Sequence, residues 1–372
     1  MVRQLAHADI EALAHGSALL GSAGGGATTY LELLVQGLPL PVDLHDPDQL
    51  DPETPCVAAA FAGSTMVLAE RLPGDHAFAP LMDAVDRWTG RPATAICSLE
   101  IGGMNGLTAL VAADGRTLVD ADCMGRALPG IDQLSLAVDR LPGLVFAAAT
   151  RSGVVVTQTG EPAEAEAIVR SALAEAGGTG PILAGGFTVG DLIEHAVPGA
   201  ISGALDLGRA ALEAAEEPLT EYARALGGRL VASGRIRQVE STEDPQVQCF
   251  AIEGDAGEVH RLITRTETLA VTTDGQLVAG APDVLAVIDA RTRAVREVPQ
   301  LGLLQQVAVI ELPIASWWRH DPARLAHVLP SRYGVPRLDR YDTAGSAEDT
   351  GSASGAECSH GADRRNDSDH AA

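Results

Sequence analysis

Apolar residues recur along the chain with periods that change from block to block. Ile10, Leu13, Ala14, Leu19 and Leu20 fall at helical intervals and predict a helix over residues 8–20. A glycine-rich turn, Gly21-Ser22-Ala23-Gly24-Gly25-Gly26, leads into a second helix from Thr28 to Gln36. A loop rich in Pro and Asp spans Pro41–Pro55. Short apolar runs then predict strands over Cys56–Ala62, Ala93–Ser98 and Thr117–Ala121. Helical patterns separate them, at Asp75–Trp88 and in a short piece that Asn105 is placed to cap. Strand, helix, strand, helix, strand is the signature of a parallel sheet with right-handed crossovers. Leu144–Ala149 and Val154–Thr157 predict a hairpin, and Glu161–Ala176 an amphipathic helix bounded by Pro162 and Gly177.

Residues 161–226 read as mostly helical, with Pro218 breaking the last helix. From Gly227 the texture is β-branched runs and turns: Arg229–Val239, Val247–Ile252, Val259–Arg265, Thr268–Thr272, Gln276–Val278, Val284–Asp289 and Val307–Leu312, with a hairpin turn at Asp274-Gly275. The expected organisation is an α/β domain over 1–160 with a mainly parallel sheet, and a helical connection over 161–226. A β-rich domain, sandwich or barrel-like, follows over 227–340. Residues 341–372 lack an apolar pattern and are predicted to be a disordered tail.

This arrangement gives the acidic residues a meaning. Ligands of open α/β sheets bind outside the carboxyl ends of the strands. Ser64, Glu100 and Asp122 each follow a predicted parallel strand, so they are expected on one edge. Between them run Glu100-Ile101-Gly102-Gly103-Met104-Asn105 and Asp120-Ala121-Asp122-Cys123-Met124-Gly125-Arg126, a mixture unusual for plain core sequence. Asp120 and Asp122 are either site carboxylates or turn and cap residues. Gly24, Gly25 and Gly26 either cradle a ligand with backbone amides or make a tight corner. Their loop follows a helix rather than a strand, so it is neither a dinucleotide fingerprint nor a phosphate-binding P-loop. Arg209 is either a surface ion pair or reaches the site, Glu267 an edge charge or a pocket residue, and His195 structural or a ligand.

Composition narrows the function. The formal net charge of −24 argues against nucleic acid or an anionic membrane as partner. The chain has no lysine, which removes Schiff-base chemistry and a Walker lysine. No apolar run is long enough to span a bilayer, and Asp9 and Glu11 interrupt any leader-like stretch, so the expected location is cytoplasmic. The cysteines at 56, 97, 123, 249 and 358 form no CxxC pair; Cys56 and Cys97 read as core, while Cys123 lies inside the acidic cluster. Neither G-x-S-x-G nor HExxH occurs.

The order of motifs resembles the S-methyl thiohydantoin desulfurase family, which is associated with hydantoinase and oxoprolinase proteins. The residues that carry the resemblance are Gly21–Gly26; Glu100, Gly102, Gly103 and Asn105; Asp120, Asp122, Gly125, Arg126 and Pro129; Pro198-Gly199, Ser202 and Gly208-Arg209; Glu267; and Pro282-Asp283. The chain departs from the family pattern at Ala23, Cys123, Gly130, Thr266 and Thr268, which flank the expected pocket. The resemblance implies an α/β domain followed by a β-rich one, and hydrolytic C–S cleavage on a five-membered thiohydantoin-type ring, with a divalent metal such as zinc as the implied cofactor.

On that reading Glu100, Asp120, Asp122 and Arg126 are the expected catalytic residues. Gly24, Gly25, Gly26, Ser64, Gly102, Gly103, Asn105, Arg209 and Glu267 are expected to bind substrate, and Asp120, Asp122 and His195 are the metal candidates. The expected partners are a small-molecule substrate, a second copy of the chain and a hydantoinase-type protein. Two rival readings remain: a non-catalytic subunit of a hydantoinase or oxoprolinase system, and a small-molecule binding protein.

Overall fold

A computed structural model describes residues 2–70, 74, 76–242, 244 and 246–341. The tail from Asp342 and the predicted helix start at Asp75 lie outside the described residues. The first sheet is built from β1 (Arg3–Leu5), β2 (Val42–His45), β3 (Pro55–Gly63), β4 (Ala95–Ser98), β5 (Thr117–Asp122), β6 (Val145–Ala149), β7 (Val154–Thr157), β8 (Thr179–Thr188) and β9 (Val197–Pro198). Its order is β1-β2-β5-β4-β3-β8-β6-β7, with β9 laid against β5. β2, β5, β4 and β3 run parallel, and antiparallel strands extend this centre on both sides. The parallel centre brings the ends of β3, β4 and β5 to one edge, as their spacing predicted.

Helices cover both faces. α1 (Ile10–Leu20), α2 (Thr29–Gln36), α3 (Thr65–Glu70), α4 (Ala79–Thr89), α5 (Thr108–Ala112) and α9 (Ala200–Glu213) bury one face, while α6 (Ser135–Val138), α7 (Pro162–Ala176), α8 (Val189–His195) and α11 (Ser316–Arg319) cover the other. α1 and α9 touch backbone to backbone. A Cβ on Gly16 would sit 1.8 Å from the Ala204 carbonyl oxygen, and one on Gly208 1.7 Å from that of Ala12. This contact fixes where α1 delivers the Gly21–Gly26 loop.

The second sheet is antiparallel: β10 (Arg229–Ser241), β11 (Gln248–Glu253), β12 (Val259–Thr264), β13 (Thr268–Thr273), β14 (Gln276–Gly280), β15 (Val284–Asp289) and β16 (Gln306–Leu312), in the order β14-β13-β12-β11-β10-β16-β15. It curls as a half-barrel around Ile236, Phe250, Leu262, Val271, Leu285, Val287 and Val309. The fold is therefore the α/β sheet domain followed by a β-rich one.

Two departures from the sequence reading matter. The 161–226 segment holds α7, α8, α9 and α10 (Leu219–Ala225), but also β8, which pairs with β3 along its whole length. Gly185 and Gly186 interrupt the apolar run of β8, which hides its period. Gly185 lies where a Cβ would meet Val85 of α4 at 2.5 Å, so the glycine lets that helix approach the sheet. β1 and β2 carry no readable period either, because β2 lies within the polar Pro- and Asp-rich segment and both are short.

The two sheets meet at the glycine loop. The Ser22 hydroxyl accepts from the Leu285 amide at 3.1 Å, the Thr268 amide donates to the Ser22 carbonyl at 2.9 Å, and the Val298 amide to the Ala23 carbonyl at 2.8 Å. Among the described residues no helix is long and apolar enough to cross a membrane.

Candidate functional site

A cavity of about 150 Å³ opens at the carboxyl edge of β3 and β4, beneath the glycine loop and against the second sheet. Its floor is Phe61, Ala62 and Gly63 of β3 with Leu99 and Glu100 after β4. Gly24, Gly25, Met104 and Asn105 form one wall, Thr266 and Glu267 a second, and Met124 with Ala127–Ile131 a third. Glu166 and Arg170 of α7 stand at the rim. A cavity of this volume holds a benzene-sized ring.

Glu100 faces the cavity and is held at both oxygens. Oε1 accepts from Asn105 Nδ2 at 2.6 Å, and Oε2 from the Leu128 amide at 3.3 Å. Both donors are neutral. Burial, opposed by the Asn105 bond, pushes its carboxyl up to about 8, and the Asp122 and Glu267 charges add to the rise. Asn105 does not cap a helix as its position suggested. It sits in a 3-10 turn, Gly103–Leu107, where Oδ1 accepts from the Phe61 amide at 2.7 Å and Nδ2 donates to the Phe61 carbonyl at 2.9 Å. The amide thus locks the Glu100 loop to β3 and aims the carboxylate.

Glu267 enters from the loop before β13 and is 4% exposed. Its Oε2 accepts from Arg126 Nη2, and among the described residues that is its only side-chain hydrogen bond. Burial raises its carboxyl, and Arg126 opposes the rise. Arg126 is itself fully buried. Nη1 donates to the carbonyls of Pro282 and Asp283 at 2.7 and 2.9 Å, and Nε to that of Ala127 at 3.0 Å. The guanidinium of this expected catalytic residue therefore lies behind Glu267 rather than on the cavity wall.

The glycines serve the wall by their lack of a side chain. Gly103 has φ of +66°, and a Cβ there would fall 2.1 Å from the Gly25 carbonyl oxygen. A Cβ on Gly102 would come within 2.1 Å of the Ala127 amide. Gly102 and Gly103 thus pack the loops together without lining the cavity, while Gly24 and Gly25 do line it. Gly26 donates its amide to Glu297 at 3.2 Å. Burial pushes the Glu297 carboxyl up to about 7, and no sequence signal marked this residue.

Other expected site residues stand apart. Asp122 is fully buried and accepts from the amides of Ile101, Met124 and Gly125, at 2.8 Å from Ile101 and 3.2 Å from Met124, so it closes the turn after β5. Burial, against those bonds, pushes its carboxyl up to about 7. Asp120 accepts from the amides of Ile201 and Ser202 at 2.8 and 3.1 Å, at the start of α9. Ser64 is exposed and accepts from the Val67 amide at 3.3 Å, and it is the adjacent Gly63 and Thr65 that line the cavity. Arg209 pairs with Asp9 at 2.6 Å, away from the cavity. His195 Nδ1 lies 2.7 Å from Asp139, which also binds Arg324. Cys123 is buried, and the neighbouring Cys97 thiol, then burial, push its thiol well up.

The metal candidates do not fit a cation site. The carboxylates of Asp120 and Asp122 are already occupied by backbone amides, and His195 is paired with Asp139. Among the described residues no three His, Cys, Asp or Glu side chains are grouped to hold a metal ion.

Two family models match end to end. S-Me-THD-like, N-terminal domain, covers residues 8–160, and S-Me-THD-like, C-terminal domain, covers residues 160–341. The chain belongs to the S-Me-THD-like family. No curated protein matches it. Among solved structures it is similar to a crystal structure of a protein from Chromobacterium violaceum, at 22% identity and a TM-score of 0.73, over 91% of this chain and 99% of that one. That likeness is one of fold. This chain carries, at the junction of its two sheets, a ring-sized cavity faced by the carboxylates of Glu100 and Glu267.

Proposed function

We propose that this S-Me-THD-like protein is a hydrolase of a small five-membered thiohydantoin- or hydantoin-like ring, cleaving a C–S bond or, in the alternative substrate, a C–N bond. The observation that supports this most is the unequal setting of Glu100 and Glu267 in one cavity. Glu267 touches a guanidinium, whereas Glu100 touches only neutral donors. The ionised form of Glu267 is the better stabilised, so the proton rests on Glu100. Titratable groups whose environments separate their proton affinities are suited to divide the acid and base roles.

In this mechanism Glu267 takes a proton from water as the water oxygen adds to the ring carbon bearing sulfur. Glu100 gives a proton to the adjacent ring nitrogen. The adduct then collapses, the C–S bond breaks, and the sulfur leaves as a thiol with the second water proton. The water oxygen remains as the ring carbonyl. Phe61, Leu68, Leu99 and Met124 set apolar surface beside the carboxylates, which strengthens both effects.

The test is incubation of the full chain with an S-methyl thiohydantoin, with assay of free thiol and of the hydantoin product. Thiol release is expected, falling at least about a hundredfold in Glu100→Gln, in line with loss of a general acid. Turnover absent in the wild type, or unchanged in both Glu100→Gln and Glu267→Gln, sinks the proposal. Binding without turnover would favour the non-catalytic subunit or binding-protein reading.

A further inference from the structure

We propose that the chain has a second ligand site, a groove at the opposite end of the first sheet, which binds a small planar aromatic acid. The groove has a volume of about 280 Å³. It lies where β3 begins and β8 ends, under the last turn of α4. The Glu100–Glu267 cavity stands at the other end of β3, so the groove is independent of the chemistry read there. A β-bulge opens it. Cys56 pairs with Phe187 and Ala58 with Ala184, so Gly185 and Gly186 together face Val57 alone, and the doubled strand bends. Gly186 has φ of +83°, and a Cβ there would fall 2.1 Å from the Gly143 carbonyl oxygen. Neither glycine offers a side chain to fill the gap. Val57, Val85, Val145 and Phe187 give the groove an apolar floor.

Two side chains set what the groove recognises. Trp88 is 54% exposed, whereas Trp317 and Trp318 are buried. Its Nε1 donates to Gln158 Oε1 at 3.2 Å, which holds the indole in place as one wall. A flat ring laid on that indole takes apolar surface of both out of water. Arg91 lines the same groove, just past the Gly90 cap of α4. Its Nη2 donates to the Glu53 carbonyl at 2.9 Å, which anchors the guanidinium without neutralising it. Among the described residues Arg91 has no ion pair, and its Nε and Nη1 make no hydrogen bond. The chain carries a net charge of −24, yet among the described residues no Asp or Glu lines this groove. The cavity at the other end, by contrast, is lined by Glu100, Glu166 and Glu267. Gln158 Nε2 supplies one more donor that no described residue uses. A ring seated on Trp88 with its carboxylate at Arg91 therefore meets both a stacking surface and a planar cationic donor.

The experiment is calorimetric titration of the full-length wild type at neutral pH with three matched ligands: 2-naphthoate, its uncharged amide 2-naphthamide, and its saturated analogue decahydro-2-naphthoate. The aromatic acid is expected to bind at least about fivefold more tightly than the amide, which lacks the charge, and than the saturated acid, which cannot stack. Arg91→Met is expected to erase the preference for acid over amide. Trp88→Ala is expected to erase the preference for the flat ring over the saturated one. Both side chains are exposed, so both variants should stay folded, which circular dichroism checks. Failure of 2-naphthoate to bind up to millimolar concentration overturns the proposal, as does an amide or a saturated acid that binds as tightly. A preference that survives its substitution also overturns it, because the ligand then sits elsewhere.

Discussion

Arg126 and Glu267 form a buried ion pair that joins the first sheet's strand-end turn to the second sheet. Neither partner can be removed alone without leaving a charge in the interior. Arg126→Met is therefore expected to cost about 3–5 kcal/mol of stability, because Glu267 loses its counter-charge and three carbonyls lose their donor. Adding Glu267→Gln to Arg126→Met is expected to recover part of that loss. Urea unfolding of the single and double variants checks this. A single variant within about 1 kcal/mol of wild type would show that the pair is not structural.

Stability is expected to fall as pH rises from about 5 to about 8. Burial lifts the Glu100 carboxyl from 4.5 to about 8, so between those values the folded chain holds a proton that the unfolded chain has lost. The unfolded state then binds fewer protons, and unfolding becomes easier with each step up in pH. Above about 8 both states are ionised at Glu100 and the loss is complete. Asp122 and Glu297, each pushed up to about 7, add to the same slope. Melting temperatures of wild type and Glu100→Gln from pH 5 to 9 test the sign: the variant's curve should be flatter. A wild type that gains stability over that window would contradict it.

Much of this was legible in the chain. The strands whose ends carry Glu100 and Asp122 announce themselves by period, and a parallel sheet then places those ends on one edge. The sequence could not show which carboxylates face the cavity. Asp122 ends one strand and Glu100 follows its neighbour, yet Asp122 is taken up by three backbone amides while Glu100, with one, faces the cavity. That difference depends on where Met124 and Gly125 turn, which is a tertiary outcome. Glu267 was visible only as an acid before an apolar run, and Glu297 and the Arg170–Glu166 rim left no local signal. β8 was hidden because the glycine that admits Val85 also erases the apolar pattern.

The contrast between the two acids gives a further test. Asp122→Asn keeps one acceptor oxygen but cannot hold the amides of Ile101, Met124 and Gly125 as a carboxylate does. It is expected to lower stability by about 1–3 kcal/mol while turnover per folded molecule stays within about threefold. Glu100→Gln should do the opposite, with turnover lost and the fold retained. Equal loss of turnover in both, at full folding, would return Asp122 to the reacting centre.

On the proposed mechanism Asn105 acts on the chemistry through Glu100. Its Nδ2 donates to the carboxylate at 2.6 Å, a bond that favours the ionised form. Asn105→Ala removes that bond and the pair that ties the loop to Phe61, so stability is expected to fall by about 1–3 kcal/mol. The diagnostic readout is the pH–rate profile. If Glu100 works as the acid, wild-type rate declines as pH passes about 8, and loss of the Asn105 donor shifts that decline to higher pH. A purely structural role would lower the rate at every pH and leave the alkaline limb in place. Steady-state rates from pH 6 to 10 on folded protein separate the two, and an unmoved limb would remove Asn105 from the site's proton control.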